Sequence, residues 1–451
     1  MTDSQSLLDI IQSVLSSVCD VLWGWPMIIL LLGTHLYLTI RLKFPQRKIF
    51  SAIRLSVKRD ADSPGDVSQF GALATSLAAT IGTGNIVGVA TAVALGGPGA
   101  IFWCWITGVL GIATKYAEGL LAVKYRVKTR SGRMLGGPMF ALQKGLGMKW
   151  LAILFCIFTA IASFGIGNMV QSNAISLLCH DTLGIPEWGT GLAVTVLAAL
   201  VILFGVKGIA KVCTAFVPFM ALLYVVGCLY ILFVNSDYII PAFQLILKCA
   251  FSPEAGLGGA VGGSIIITAR YGIARGLFSN ESGMGSAPIV AAAAQTKNPV
   301  RQALVSSSAT FWDTVVICLL TGLVIVSTLL AYNLQLGDIE TGSLTKEAFS
   351  KIPFIGSPLL TFGIVTFAFS TILGWSYYGE RAVEYLGGKK LIVGYRIIYI
   401  VAIFLGSVFE LSLVWTLSDL MNALMAIPNL VSLLLLSGVI VHETKKYSSK
   451  L

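Results

Sequence analysis

The stretch Ala78-Ala-Thr-Ile-Gly-Thr-Gly-Asn-Ile-Val-Gly88 puts hydroxyls, an amide and three glycines inside a run apolar enough to cross a bilayer. Glycine in a helix interior costs about 1 kcal/mol against alanine, and Thr80 and Thr83 are weak helix formers, so a continuous helix is not expected here. In lipid, a broken helix persists only where the freed backbone groups line a cavity or are buried in protein. Carbonyl oxygens released from the ladder are hard ligands for a small cation. The N–H groups of a half-helix starting near Gly84 attract an anion. One break thus has the chemistry to hold a sodium ion on one side and a carboxylate on the other. The competing reading is that these glycines only let two helices pack closely.

A second stretch, Thr268–Pro288, carries four glycines, a proline and the charges Arg270, Arg275 and Glu281. Continuous helix is not expected through Gly276–Gly285, and the three charges at membrane depth need partners or water. Other polar groups are fewer. Lys115 and Glu118 lie three apart on one helix face and are expected to pair. Phe164, Asn168, Gln171 and Ser172 project to one side of a span, where amides either bridge helices or touch a ligand. Ser370 and Thr371 offer two hydroxyl oxygens to a cation, or bond back to their own helix. Asp313, beside Thr310 and Thr314, and His35 are read as lying outside the first break, with His35 in helix packing. The eight cysteines are scattered, with no metal or redox spacing.

The elements that hold these residues are membrane helices. Of 451 residues, 56% are hydrophobic and only 12% are charged, about half the charge of a soluble domain. Apolar runs of spanning length fall near 20–40, 67–95, 98–123, 150–179, 187–206, 212–235, 260–293, 301–331, 358–380, 391–409 and 412–440, giving eleven predicted transmembrane helices in an all-α membrane protein. Met1–Ser6 has no basic run or small-residue cleavage site, so no cleaved leader is expected. The net charge of +10 does not point to nucleic acid, because most of the Lys and Arg fall in alternate loops: 41–59, 124–149, 207–211, 297–301, 381–396 and the tail at 445–450. The positive-inside rule then puts the N-terminus outside and the C-terminus in the cytoplasm.

In that orientation the two breaks run in opposite directions, and each opens a group of five spans. The expected organisation is residues 1–66 (N-terminal segment, extra helix and basic loop), a first five-helix repeat at 67–236, an outer loop at 237–259, a second repeat at 260–440 and a tail at 441–451. Two units of opposite topology, each with a discontinuous helix, point to an inverted-repeat secondary transporter with its site at the midplane. The halves share topology and no visible residue pattern. The long loop 332–357 could cap an outward vestibule.

Gly96-Gly-Pro-Gly-Ala-Ile-Phe-Trp-Cys-Trp105, Gly82-Thr-Gly-Asn-Ile-Val-Gly88, Gly136-Gly-Pro-Met139 and Ser279-Asn-Glu-Ser-Gly-Met-Gly-Ser-Ala-Pro288 together resemble the alanine or glycine:cation symporters, the sodium:alanine symporter family, over about 20–440. Cys104 stands where that family usually has Met, in a packing stretch. The resemblance implies a leucine-transporter-like five-plus-five inverted repeat with one extra N-terminal helix. It implies substrate contacts from Thr80, Gly82, Thr83, Gly84, Asn85, Gln171, Phe278, Ser279, Asn280, Thr371 and Trp375. It also implies a sodium ion at Ala79, Gly82, Ser370 and Thr371, and a second at Thr80, Asn85 and Ser279.

The expected activity is sodium-coupled uptake of alanine, with glycine, across the cell (inner) membrane by alternating access. The partners are a small neutral amino acid, sodium and the lipid bilayer, with no nucleic acid and no organic cofactor. The first break offers hydroxyls, an amide and carbonyls, which favours sodium over the proton. The alternatives are a symporter for another small neutral amino acid and an amino-acid-gated channel or sensor. A channel should show a continuous polar path, but polarity gathers at two breaks. An enzyme would need a nucleophile–base pair or an HExxH motif, and neither is present.

Overall fold

The computed structural model describes residues 2–58, 60, 63–129, 132–252, 265–409 and 412–448. Arg59, Arg130 and Lys450, and the parts of the 237–259 loop and 260–293 span within 253–264, lie outside the described residues. Among the described residues the regular structure is helical apart from one short hairpin, β1 (Val127–Lys128) and β2 (Met134–Leu135), and an isolated parallel bridge between Val67 and Ala294.

Two helices, α1 (Thr2–Leu22) and α2 (Trp25–Arg41), meet at Trp23–Gly24 and precede the first break. The broken span is α3 (Gln69–Thr80) followed by α4 (Gly84–Gly96), with a 52° bend between them. Ser68 starts α3 by accepting the Gly71 N–H at 3.0 Å, which supplies one of the first-turn donors with a partner. Next come α5 (Ala100–Lys124), α6 (Lys149–Leu183), α7 (Glu187–Ile202), α8 (Gly205–Val234) and α9 (Ser236–Phe251). The second half holds α10 (Ile265–Asn280), α11 (Ala287–Ala291), α12 (Pro299–Ala331), α13 (Gly356–Gly387), α14 (Leu391–Val408), α15 (Ser412–Leu435) and α16 (Ser437–Ser448).

Among the described residues, eight helices are long and apolar enough to cross a membrane, nine when the bent pair counts as one span. Two of the eleven expected spans fall short. Helix α7 has 16 residues, and the second break interrupts its span, leaving 16 described residues before it and a five-residue helix after it. The expected outer loop 237–259 is in part helix α9. Large apolar side chains such as Phe204, Phe233 and Ile240 face outward, as lipid-facing residues must.

The basic loops gather on one face, called here the basic face. Lys124 pairs with Glu443 at 2.6 Å, Arg133 with Glu384 at 2.8 Å and Arg396 with Glu380 at 2.7 Å. There too the segment entering α3 lies beside the segment leaving α11. The Asp66 N–H donates to Ala293 O at 2.7 Å, and the Gln295 N–H donates to Val67 O at 2.8 Å. Arg126 spans both segments: its guanidinium donates to Ala292 O (3.0 Å), Ala294 O (2.8 Å), Pro64 O (3.1 Å) and Thr296 O.

Helices α4, α6 and α12 each contain a widened π turn, at Gly84–Gly88, Gly165–Met169 and Phe311–Cys318. Such turns cost helix stability and concentrate at functional sites. These three lie beside the groups described next.

Candidate substrate and ion site

The first break opens after Thr80, where Ile81 is extended and the helix resumes only at the widened turn. The freed Ala78 carbonyl accepts from Ser370 Oγ and Thr371 Oγ1, each at 3.2 Å. Both hydroxyls also reach Phe367 O within their own helix, at 2.9 and 3.0 Å. Four oxygens, two carbonyl and two hydroxyl, therefore converge between α3 and α13. They form a neutral hard-oxygen set of the type that suits a small alkali cation. The hydroxyls meet Ala78, one residue before the Ala79 named from the resemblance. Ala79 packs on Gly374, where an added Cβ would come within 2.8 Å of its own.

Within the break, Gly82 donates its N–H to Asn85 Oδ1 at 2.9 Å. A Cβ on Gly82 would sit 2.7 Å from Thr371 Oγ1 and 4.0 Å from Gln171 Oε1, so only glycine lets these three groups converge. Thr83 Oγ1 donates to Gln171 Oε1 at 3.4 Å, and Gln171 Nε2 donates to Ile166 O at 3.0 Å in the adjoining π turn. A Cβ on Gly84 would lie 3.4 Å from the Phe278 ring and 3.6 Å from Ser279 Cα. Thus Gly82, Thr83, Gly84, Gln171, Phe278, Ser279 and Thr371 come together. Thr80 does not present its hydroxyl to them, because its Oγ1 bonds back to Ser76 O at 3.2 Å. Trp375 is buried one turn beyond Thr371 against Gly167, and its Nε1–H donates to Glu281 Oε1 at 3.1 Å.

The polar face of α6 divides its work. Asn168 donates to Tyr399 O at 2.8 Å and Ser172 bonds its own helix, so of these three only Gln171 reaches the first break. His35 shares a hydrogen bond with Thr114 at 2.8 Å, in keeping with a packing role.

The second break differs from the sequence expectation. Helix α10 continues through Gly276 to Asn280, and the unwound turn is Glu281–Ser286, with φ of +53°, +91° and +86° at Glu281, Gly283 and Gly285. Gly276 instead serves close packing, since a Cβ there would lie 2.2 Å from Thr107 Oγ1 on α5. Nor do Lys115 and Glu118 form an ion pair within 4.0 Å. Lys115 Nζ donates to Asn280 O at 2.9 Å, while Glu118 Oε1 accepts from Gly283 N at 3.0 Å and Gly285 N at 3.2 Å. Arg270 and Arg275 are not sealed in apolar surroundings. They line a cavity of about 140 Å³ with Asp20, Trp23 and Asp419, and Phe278 forms part of the wall between that cavity and the first break.

Asp313 overturns its expected place. Its carboxylate accepts from Asn85 Nδ2 (2.8 Å), Ser279 Oγ (3.0 Å) and Thr314 Oγ1 (2.6 Å), so it joins the first break to the last turn of α10. The available signal was an acidic residue inside a span, which is a functional pointer in itself. The 332–357 loop reaches the first break, for Thr345 donates to Ile86 O there at 3.0 Å.

The sequence profile of the sodium:alanine symporter family matches residues 8–451. An uncharacterized transporter of Haemophilus influenzae is 51% identical over 445 residues, covering 98% of this chain and 97% of its own. The sodium/alanine symporter AgcS of Methanococcus maripaludis is 49% identical over 443 residues, 97% of each chain. Among solved structures, MhsT in complex with L-phenylalanine superposes with a TM-score of 0.56 at 13% identity, covering 82% of this chain and 89% of that one, which is a likeness of fold. With two broken helices around a shared polar centre and a family match over nearly its whole length, the chain belongs to the sodium:alanine symporter family.

Proposed function

We propose that this integral membrane protein takes up alanine, and glycine with it, by symport with sodium through alternating access. The observation that carries the reading is the meeting of Ala78 O, Phe367 O, Ser370 Oγ and Thr371 Oγ1 beside the Gly82–Gln171–Phe278 cluster. Sodium takes the four-oxygen set. The substrate carboxylate takes the N–H groups of Thr83 and Gly84 at the start of α4, beside the Gly82 N–H that Asn85 holds, and Gln171 adds a side-chain partner. Sodium then stabilises the same break that receives the substrate, which couples the two. A second sodium site draws on Asn85 and Ser279, with the Thr80 hydroxyl committed elsewhere.

The wider organisation follows the same reading. Eleven spans form one N-terminal helix plus inverted five-helix repeats at 67–236 and 260–440, in the cell (inner) membrane, with the basic face cytoplasmic and the N-terminus outside. Phe278, against Gly84, is one bound of the substrate side chain in this reading, with Trp375 one turn beyond Thr371 as the other, which favours alanine and glycine over larger neutral amino acids.

The position of Asp313 supports a second reading. The case for sodium from the absence of a titratable group at the break no longer holds, because this carboxylate touches Asn85. Sodium now rests on the oxygen set and the family, and proton coupling is the competitor. Proteoliposome uptake separates them. A sodium gradient should drive accumulation of labelled alanine, with counterflow of internal for external label. Uptake that persists without sodium and collapses with a protonophore refutes sodium coupling, and absence of counterflow favours a channel.

A further inference from the structure

We infer that Lys115 and Glu118 are positioning residues: from α5 they clamp the two sides of the second break, so that Phe278 and Ser279 stay set against the first. The six-residue turn Glu281–Ser286 sits in buried protein, where each unpartnered backbone group is costly. Asn280 ends α10, and a helix C-terminus is negative. The Lys115 ammonium meets that end, donating to Asn280 O at 2.9 Å. Beyond it, the N–H groups of Gly283 and Gly285 point together because both glycines are left-handed, and Glu118 Oε1 accepts both, at 3.0 and 3.2 Å. Asn429 on α15 completes the clamp, donating to Glu118 Oε1 at 2.7 Å and to Gly283 O at 2.8 Å. Lys115 and Glu118 are 1% and 2% exposed. Residues three apart on one helix face would ordinarily pair with each other. Here each is committed to opposite sides of the turn.

The two breaks are therefore closed by different means. At the first, Ala78 O meets neutral hydroxyls and Gly82 N–H meets an amide, so nothing there already supplies a positive charge. At the second, an amine and a carboxyl group are built into α5, and they meet Asn280 O on one side of the turn and the Gly283 and Gly285 N–H groups on the other. The clamp gives the substrate one permanently shaped wall, while the ion shapes the other.

The kinetic arm of the test rests on the transport reading above, and a second arm does not. Full-length Glu118→Ala, Glu118→Gln and Lys115→Met are reconstituted, and alanine uptake is measured against alanine at saturating sodium and against sodium at saturating alanine. Hydrogen exchange is followed in peptides spanning 281–286. For Glu118→Ala we expect exchange there to rise about tenfold and the alanine KM to rise about tenfold, with the sodium half-saturation within about twofold of wild type. Glu118→Gln, which keeps an acceptor oxygen, should fall between. Unchanged exchange at 281–286, or a lower maximal rate with unchanged KM, overturns the clamp. If Glu118→Ala does not fold, Lys115→Met and Asn429→Ala are put through the same measurements, and the same two results overturn the clamp. Wild-type protein that fails to carry alanine would refute the transport reading alone, because the exchange arm still decides the clamp.

Discussion

Thr371→Val is the sharpest probe of the ion site, because it removes one oxygen and keeps the shape of the side chain. Thr371 Oγ1 lies 3.2 Å from Ala78 O and 3.0 Å from Phe367 O, and the residue is 3% exposed. Removing one partner from a buried polar set costs about 1–3 kcal/mol. At 1.4 kcal/mol per factor of ten, the half-saturating sodium concentration should rise about 5- to 150-fold. Ser370 still reaches Ala78 O in this variant, so the lower half of that range is expected, near tenfold. Ser370→Ala should behave alike. The double variant should exceed the sum of the two, since it leaves Ala78 O with no hydroxyl at all. The assay is initial alanine uptake in proteoliposomes over a sodium titration at constant ionic strength. Thr366→Val serves as control: its hydroxyl lies on the same helix and bonds only Phe362 O and Gly363 O. A Thr371→Val transporter with wild-type sodium half-saturation would refute the site, whatever happened to its maximal rate.

Other expectations follow from the same contacts. Gly82→Ala, with its Cβ 2.7 Å from Thr371 Oγ1, should lose sodium-stimulated uptake while still reaching the membrane, as surface quantification would show. Phe278→Ala or Trp375→Ala should admit valine- or leucine-sized substrates in a competition panel of glycine, L- and D-alanine, serine, glutamine and leucine, whereas Gln171→Ala should weaken all substrates alike. Bulk is the stronger discriminator, because one methylene in an apolar pocket is otherwise worth about 1–3 kcal/mol. Asp313→Asn puts a donor where three donors now converge, and uptake should fall about tenfold or more through lost bonds to Asn85, Ser279 or Thr314. Restored uptake when Asn85→Asp is added to Asp313→Asn would tie the loss to that contact.

Much of this architecture is legible in the residues. The first break follows from Gly82, Gly84 and their threonines, and the gathering of basic loops on one face follows from charge alternation. The second break is only half legible, because glycine has two uses that look alike in a sequence. At Gly283 and Gly285 it permits left-handed backbone, and at Gly276 it admits α5 to close contact. Local spacing likewise suggests a Lys115–Glu118 pair, when the stronger demand comes from backbone groups more than 160 residues away. Asp313 escapes its place for the same reason: its partners Asn85 and Ser279 are brought to it by folding alone. Helix α9, in the segment expected as a loop, has helix-end signals in Asp237 and Lys248, but Pro241 inside it reads in the sequence as a helix breaker.

The lacing of residues 64–67 to 293–296 at the basic face bears on leakage. These two segments belong to different broken helices, yet they share backbone hydrogen bonds and the single guanidinium of Arg126. Neither can swing away from the centre on that side without parting from the other. A movement that opens one of the two segments on the basic face must carry the other with it or break these bonds. Under the proposed symport, a form half-open on the basic face would have to give up these shared hydrogen bonds, which disfavours passage of the ion without its passenger.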